Sequence, residues 1–455
     1  MKNLVEELAR FAVETKYQDL PARVVQETKH LILDSIGCGL AAITTDPGKM
    51  IIALARKMGG PPDSSIIGTG DKVSYTSAVL ANGQLINTID FDTVAPGGHT
   101  PPYIVPPPLA IAENTGAAGR DLILATALGF EIAARVARAL PPGMSFEGPE
   151  KRFKYAEREG YAKANFGAAA AAAKLLKLNR EQMMNTLGIA GHLCQVITWG
   201  RFNYAIPRNP TKYGVPGWQN TGAVMAALLA QMGCMGDTSL FDNDQGFWKF
   251  CGYGGWEPDK IMEGIGQTWY FTEVRYKRYA CCGSLHGILD CLYSILRKNN
   301  LKPEDIESIT AYTSPTVESP LFANRDLNNI VDVQFSAPYV FAMAVHGVKT
   351  GVDWQDWDTV TQPKIVEFAK KVTVLGNPEF GKNPVNKVEV VAKGKKLIEE
   401  GKGTSPKLTE DELVAKFHHN ASRILTQDKI DSAITALMGL EEVTTVSGLM
   451  SLLTV

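Results

Sequence analysis

Neither charge sign dominates this chain: 46 lysines and arginines face 48 aspartates and glutamates, a formal net charge of −2. That balance gives no reason to expect nucleic acid or an anionic membrane as partner. Cysteine is also scarce. Seven cysteines in 455 residues are odd in number and lack CxxC spacing, which argues against a disulfide framework and suits a reducing, cytoplasmic setting. The same seven offer no thiolate spacing for an iron–sulfur cluster. Long apolar runs are missing too. The longest, Thr221–Gly236, is short for a membrane span and contains Gln231, so it reads as a buried core helix. Met1–Thr15 is interrupted by Glu6, Glu7, Arg10 and Glu14, the pattern of an amphipathic helix and not of a secretory signal. No GxGxxG, GxxxxGK[ST] or GxSxG occurs, which disfavours nucleotide binding and serine hydrolysis.

What is present is ordinary for a globular protein, with 45% apolar and 21% charged residues, in a chain long enough for two domains. Up to about residue 260 the signals are helical. Leu4, Leu8, Phe11 and Ala12 recur at helical spacing, as do Val24, Val25, Ile32, Leu33 and Ile36. Leu109–Ala139 and Gly167–Leu178 are rich in alanine and leucine, and Asn179 with Gln182 predicts a capped helix over Arg180–Leu193. From Gly264 the texture changes. Trp269–Tyr279, Ile306–Thr313 and Lys387–Ala392 read as strands, with helices over His286–Asn299 and Pro338–His346. Leu408–Leu453 reverts to helix. The expectation is a mainly α protein: an all-α domain over 1–263, an inserted α+β domain over 264–405, and C-terminal helices over 406–455 returning to the first.

Three polar clusters carry the chemistry. Asp90-Phe91-Asp92-Thr93 precedes a rigid loop of Pro96, Gly97, Gly98, Pro101, Pro102 and Pro106–Pro108 that would hold His99 in a fixed position; fixed geometry is what acid–base work needs. The bland alternative is a capped loop with His99 on a backbone carbonyl. Asp-x-Asp with a later histidine could also hold a divalent metal, but no HxxxH or second acidic pair accompanies it, so no metal is expected. Lys212, with Pro210 and Pro216 on either side, leads onto a helix near Trp218, and with Arg201 and Arg208 could cradle a carboxylate. Arg201 and Arg208 equally suit a solvated loop. Lys277 and His286 enclose Cys281-Cys282, whose adjacency suits packing better than a relaxed disulfide. His30, His192 and His346 read as packing residues, and His418-His419 as surface. Trp199, Tyr204 and Trp218 fit either an apolar pocket wall or core.

In their order and spacing these features resemble the MmgE/PrpD family, which includes 2-methylcitrate dehydratase, cis-aconitate decarboxylase and iminodisuccinate epimerase. The carriers are Leu31–Gly37, Asn82-Gly83, Asp90–Thr93 with His99, Gly167–Leu176, Lys212–Gly217, Lys277–His286 and Ser336–Tyr339, so the resemblance spans nearly the whole chain. It implies a large all-α domain, a smaller α+β lid, a homodimer, and catalysis without metal or organic cofactor in a cleft between the domains. It places Asp90, Thr93, His99, Lys212, Lys277 and Tyr339 in the active site, with His286 near the same pocket.

This chain departs from the family in having Asp-Phe-Asp-Thr with one acidic residue fewer. A second expected histidine falls at Arg158, near Tyr161 and Lys163. A guanidinium there would clamp an anion but could not shuttle protons. Asp92, Thr93, Arg158, Tyr161, Lys163 and Arg201 are therefore substrate-binding candidates. The resulting expectation is a cofactor-independent lyase, a dehydratase or decarboxylase, acting on a small-molecule carboxylate. Lys212 and Lys277 would bind carboxylate, Tyr339 or a residue of 158–165 would take the Cα proton, and His99, oriented by Asp90, would act as acid. An isomerase using the same proton abstraction is the rival. A non-catalytic ligand-binding relative, supported by the lost histidine, is the third reading.

Overall fold

The computed structural model describes residues 3–142, 144–147, 152–155, 160–195, 199–209, 211–212, 214–242, 244–380, 383–403 and 405–455. It is mainly α-helical with a smaller α+β region. The first helix, Leu4–Glu14, starts where the Asn3 side chain accepts the Glu6 N–H at 2.9 Å, and it buries Leu4, Leu8, Phe11 and Ala12 as the periodicity predicts. Asn179 and Gln182 exchange the two bonds of a capping box before Arg180–His192.

Small residues let the central helices touch backbone to backbone. A Cβ on Gly167 of Ala164–Leu175 would lie 2.0 Å from the Gly129 carbonyl oxygen of Gly119–Arg138. One on Gly217 of Pro216–Gln231 would lie 1.9 Å from the Leu80 carbonyl oxygen of Tyr75–Thr88. The second contact matters for function. It sets the segment that precedes Pro216, with Lys212, against the helix that runs out into Asp90.

The α+β region holds a four-stranded sheet in the order Val372–Gly376, Ile306–Thr313, Val385–Ala392, Lys395–Lys402. The first pair is parallel and the other two antiparallel. Lys393 and Gly394, both at positive φ, close the last hairpin, the backbone a tight two-residue turn requires. His286–Asn299 covers the sheet and ends on Asn300 in the left-handed conformation. Leu289, Leu292, Phe341, Trp354 and Val388 form the core here. Glu410–Ala421, Gln427–Met438 and Val446–Leu452 instead place Phe417, Ile430 and Leu449 in the core built by the N-terminal helices.

Several expectations fail for physical reasons. Trp269–Tyr279 is not a strand: it holds a single turn at Tyr270–Thr272 and one bridge, Arg275 to Val94. Trp269, Phe271, Val274 and Tyr276 are buried in the helical core, so their aromatic and branched character serves packing. The predicted loop holds Pro96, Gly97, Gly98 and His99 but stops at Thr100, short of Pro101, Pro102 and Pro106–Pro108. Pro101–Ile104 and Pro106–Thr115 are helices that begin on them, where the missing N–H is no loss and φ is preset. The core helix predicted over Thr221–Gly236 ends at Gln231, and Met232 and Met235 beyond it are more than three-quarters exposed. His192 is exposed against the Phe250 ring and not a core residue. Among the described residues, no helix is long and apolar enough to cross a membrane.

Candidate active site

The Tyr75–Thr88 helix ends in a sharp turn at Asp90, whose φ of +53° is left-handed. Its carboxylate is buried and gripped from both sides. Oδ1 accepts Lys212 Nζ at 3.1 Å, and Oδ2 accepts Lys277 Nζ at 2.7 Å. Each ammonium also donates to a backbone carbonyl at 2.7 Å, Lys212 to Asn87 and Lys277 to Asp90 itself. Lys212 too sits at φ +53°. Groups from three remote parts of the chain therefore converge on one carboxylate.

Asp92 continues the cluster. It is fully buried, accepts Asn87 Nδ2 at 3.3 Å, and contacts His99 Nδ1 at 2.8 Å. The orienting partner of His99 is thus Asp92 and not Asp90, because Asp90 is committed to two ammonium groups. Asp92 also has no exposed atom with which to bind substrate directly. His99, 16% exposed, carries the cluster toward the surface. Thr93 donates its hydroxyl to Asp34 Oδ2 at 2.6 Å, and Asp34 Oδ1 pairs with Lys416 Nζ at 2.7 Å. Lys416 then donates to the Phe91 carbonyl at 2.7 Å and lies 3.9 Å from the centre of the Phe91 ring. Thr93 is consequently a strut for the turn.

Burial would raise the Asp90 carboxyl, but the charges of Lys212 and Lys277 outweigh it and hold the group far below the usual carboxylate range. Burial is likewise overcome at Asp92, chiefly by His99. Burial lowers Lys212, whereas at Lys277 the attraction of Asp90 wins and the ammonium is raised. Asp90, Asp92 and His99 could each offer a ligand atom within 4.8 Å of the others. Both Asp90 oxygens already hold ammonium groups, so a divalent cation there would meet two positive charges at contact distance. The donor set suits proton transfer better than a metal.

The remaining candidates separate. His286 is buried with Nε2 3.3 Å from the Cys281 carbonyl, and burial together with the Lys277 charge pushes it down to about 3, leaving a neutral ring. Burial pushes the Cys281 and Cys282 thiols up, away from nucleophilic thiolate. Tyr339 donates to the Arg325 carbonyl at 3.3 Å, and its charge neighbours are Asp326, Arg325 and Lys370. None of these belongs to the Asp90–His99 cluster, so the structure does not bring Tyr339 into it. Arg201 is exposed, and Arg158 lies outside the described residues.

Tyr161 and Lys163 do reach the His99 turn. A Cβ on Gly98 would meet the Tyr161 ring at 2.7 Å, and one on Gly97 would lie 3.7 Å from Lys163 Cε. Both residues, with Trp199, line a cleft of about 470 Å³ against Pro96–Gly98.

Sequence reasoning missed Asp34, Lys416 and Tyr103. Asp34 was detectable as a lone carboxylate within Leu31–Ile36, an otherwise apolar helical stretch. Lys416 gave no signal on a charged helix. Tyr103 is buried and stacks on Tyr161 at 5.0 Å. Arg208, for which the sequence leaves open a carboxylate cradle or a solvated loop, is buried, which excludes the solvated loop, and is tied to the α+β region: its backbone N–H donates to Asp332 Oδ1 at 3.0 Å, and its carbonyl accepts Asn329 at 2.8 Å.

This arrangement can be set beside known proteins. Family models match the chain as the MmgE/PrpD N-terminal domain over residues 6–258 and the MmgE/PrpD C-terminal domain over residues 279–440. The chain belongs to the MmgE/PrpD family. Members similar to it include the cis-aconitate decarboxylase-like protein oryM of Aspergillus oryzae, 24% identical across 99% of this chain and 97% of that protein. The cis-aconitate decarboxylase of Homo sapiens is 26% identical across 100% and 95%, and that of Aspergillus terreus 23% across 99% and 96%. MmgE/PrpD membership and these relatives support a carboxylate-acting enzyme of lyase or isomerase type.

Proposed function

We propose that this chain is a cofactor-independent lyase that dehydrates or decarboxylates a carboxylated small molecule, with His99 as the proton carrier. The observation behind this reading is the Asp92–His99 pair, 2.8 Å apart, set beside an aspartate held by two lysines. Asp92 fixes the imidazole through Nδ1, so Nε2 is the nitrogen that exchanges a proton with substrate. In dehydration, Nε2 takes the Cα proton and the imidazolium returns it to the departing hydroxyl. In decarboxylation, carbon dioxide leaves first and the imidazolium protonates the carbanion.

Lys212 and Lys277 have both of their ammonium groups on Asp90 and on backbone carbonyls. Their role is the field they create: two fixed ammonium groups in a low-dielectric interior balance the Asp90 and Asp92 carboxylates, so that enolate-like negative charge forming beside the turn does not meet an uncompensated anionic pair. Carboxylate recognition is assigned to the Tyr161–Lys163 stretch, where the Tyr161 ring packs on Gly98 and Lys163 Cε approaches Gly97 in the His99 turn. Tyr161 replaces Tyr339 as the phenol at that turn. An isomerase is the second reading, favoured by Arg158 standing where a second imidazole is expected: with no leaving group, no second acid is needed.

Proton NMR in deuterium oxide, with a panel of di- and tricarboxylates, tests both readings. Loss of hydroxyl or carbon dioxide marks a lyase; solvent deuterium at Cα with no group lost marks an isomerase. His99→Asn is expected to slow either reaction by roughly 10² to 10⁴-fold. Equal rates for His99→Asn and the parent protein would sink the proposal.

A further inference from the structure

The Pro216–Gln231 helix is buried along most of its surface, yet Trp218, Met225 and Leu229 on it and Met232 just past its end are between 37% and 80% exposed. Trp218, open between pocket wall and core on sequence grounds, lies on the surface and not in the core. No charged residue occurs between Lys212 and Asp237, so the exposed face of this helix lacks charge from end to end. A face kept in water is ordinarily rich in both charge signs. Methionine, tryptophan and leucine without charge have instead the composition of an interface core.

The spacing is that of a helix meeting a helix. Trp218, Met225 and Met232 stand seven residues apart, and Leu229 fills the gap between the last two. They form one seam of the kind that packs along a second helix. The seam is also symmetric, because Met225 stands midway between Trp218 and Met232. A copy of the same helix laid antiparallel across it would put Met225 on its own counterpart and Trp218 on the partner's Met232. That self-matching is what a two-fold axis requires.

A second stripe extends the patch. Met50, Leu54 and Met58 of Asp46–Met58 recur at helical spacing and are 46% to 63% exposed, with Lys49 and Lys57 exposed beside them as a polar rim. Both stripes abut the first turn of Tyr75–Thr88. Ser77 donates its hydroxyl to the Gly59 carbonyl at 3.0 Å, and Thr221 donates its hydroxyl to the Thr76 carbonyl at 3.2 Å. Taking a large apolar residue as roughly 200 Å² when fully open, the scale on which aromatic side chains are buried, the two stripes present about 750 Å². The largest patch on a typical monomer is about 300–600 Å², whereas each partner in a standard stable interface buries about 800 Å².

We infer that this face is where two copies of the chain pair, about a two-fold axis beside Met225. The Pro216–Gln231 helices form the centre of the contact, and the Asp46–Met58 helices flank it. The occupant is a second copy because the seam matches itself and because its area is what one such partner covers.

The test uses the full chain in sedimentation equilibrium. The parent protein is expected to have twice the mass of one 49.4 kDa chain. Met225→Lys sets two like charges against each other on the axis, and the dissociation constant is expected to rise by roughly 100-fold or more, with the helical circular dichroism retained. Leu375→Lys, at an exposed leucine on the sheet, should leave the mass unchanged. Orientation is read by a short bismaleimide cross-linker with Cys234→Ser, since Cys234 is exposed. In that background Met225→Cys should link to itself, and Trp218→Cys should link to Met232→Cys when the two chains are mixed. A monomeric parent chain overturns the inference, and co-sedimentation of that monomer with phosphatidylcholine vesicles would give the face to a lipid surface instead. A dimer that persists unchanged in Met225→Lys, or that shows neither cross-link, also overturns it, because the contact then lies elsewhere on the molecule.

Discussion

Asp90 and Lys212 meet across 3.1 Å, and each holds its backbone at φ +53°. Left-handed backbone at a non-glycine residue costs about 1–3 kcal/mol, so two such residues facing one another need a strong mutual constraint. The buried carboxylate supplies it by pairing with Lys212 and Lys277 together. Asp90→Asn isolates the charge, because asparagine tolerates the same backbone. It leaves two ammonium groups buried without a counter-ion, and the stability loss by urea unfolding is expected to be about 3–5 kcal/mol. A loss under about 1 kcal/mol would mean that the lysines find other partners or shed their protons easily.

His286 contributes to the acid limb of stability, together with His346 and His419, which burial also lowers, and against Glu131, which burial pushes up to about 6. The His286 ring is buried beside Lys277 and titrates near 3 in the folded chain, against an ordinary histidine value of about 6.5. Between those limits the unfolded chain binds one more proton, so stability falls as pH falls from about 6.5 toward 3, by about 1.4 kcal/mol per unit at most. The depressed carboxyls of Asp90 and Asp92 have a different window: their contribution is present above the ordinary aspartate range and is lost below it. Urea midpoints measured from pH 7 to 4 should therefore decline in the parent protein and run flatter in His286→Gln. Parallel curves would show that another group governs this limb.

The Asp92–His99 pair predicts a split between fold and rate. Asp92→Asn keeps the shape but removes the charge that stabilises imidazolium and favours the Nδ1 proton. Turnover is expected to fall by roughly 10² to 10⁴-fold, with the circular dichroism spectrum unchanged. The companion Asp92→Glu should recover little, because the 2.8 Å contact is set by a fully buried side chain with no room to lengthen. Strong recovery would assign Asp92 a looser electrostatic role.

The chemistry of the site was legible in the chain because Asp90, His99, Lys212 and Lys277 are unusual residues in apolar or proline-rich settings. Their pairing was not. Asp90 and Asp92 are two positions apart with the same functional group, and only three-dimensional packing decides which meets lysine and which meets imidazole. The strand predicted over Trp269–Tyr279 fails on similar grounds, since alternating bulky residues fit a sheet or a crevice between helices equally well. Val372–Gly376 is short, and Lys395–Lys402 is coloured by the lysines and glutamates of an exposed edge. Neither announced itself as a strand. The Ile306–Thr313 strand and the His286–Asn299 helix were legible because burial on one face imposes their periods directly.

Lys416 tests how far positioning extends beyond the site. It lies on the Glu410–Ala421 helix, yet its ammonium joins Asp34 at 2.7 Å to the Phe91 carbonyl at 2.7 Å, between the two aspartates that organise Lys277 and His99. Asp34 in turn holds the Thr93 hydroxyl. Loosening this strut should let the turn shift by a fraction of an ångström, and misplacement on that scale is felt mainly in the reacting geometry. Lys416→Met is therefore expected to lower kcat by about tenfold or more with KM changed much less, as suits a group that acts through another. Thr93→Val should do the same more weakly. If Lys416→Met instead raised KM at constant kcat, or lowered only the melting temperature, the turn would be rigid without the strut. The C-terminal helices would then support the fold alone.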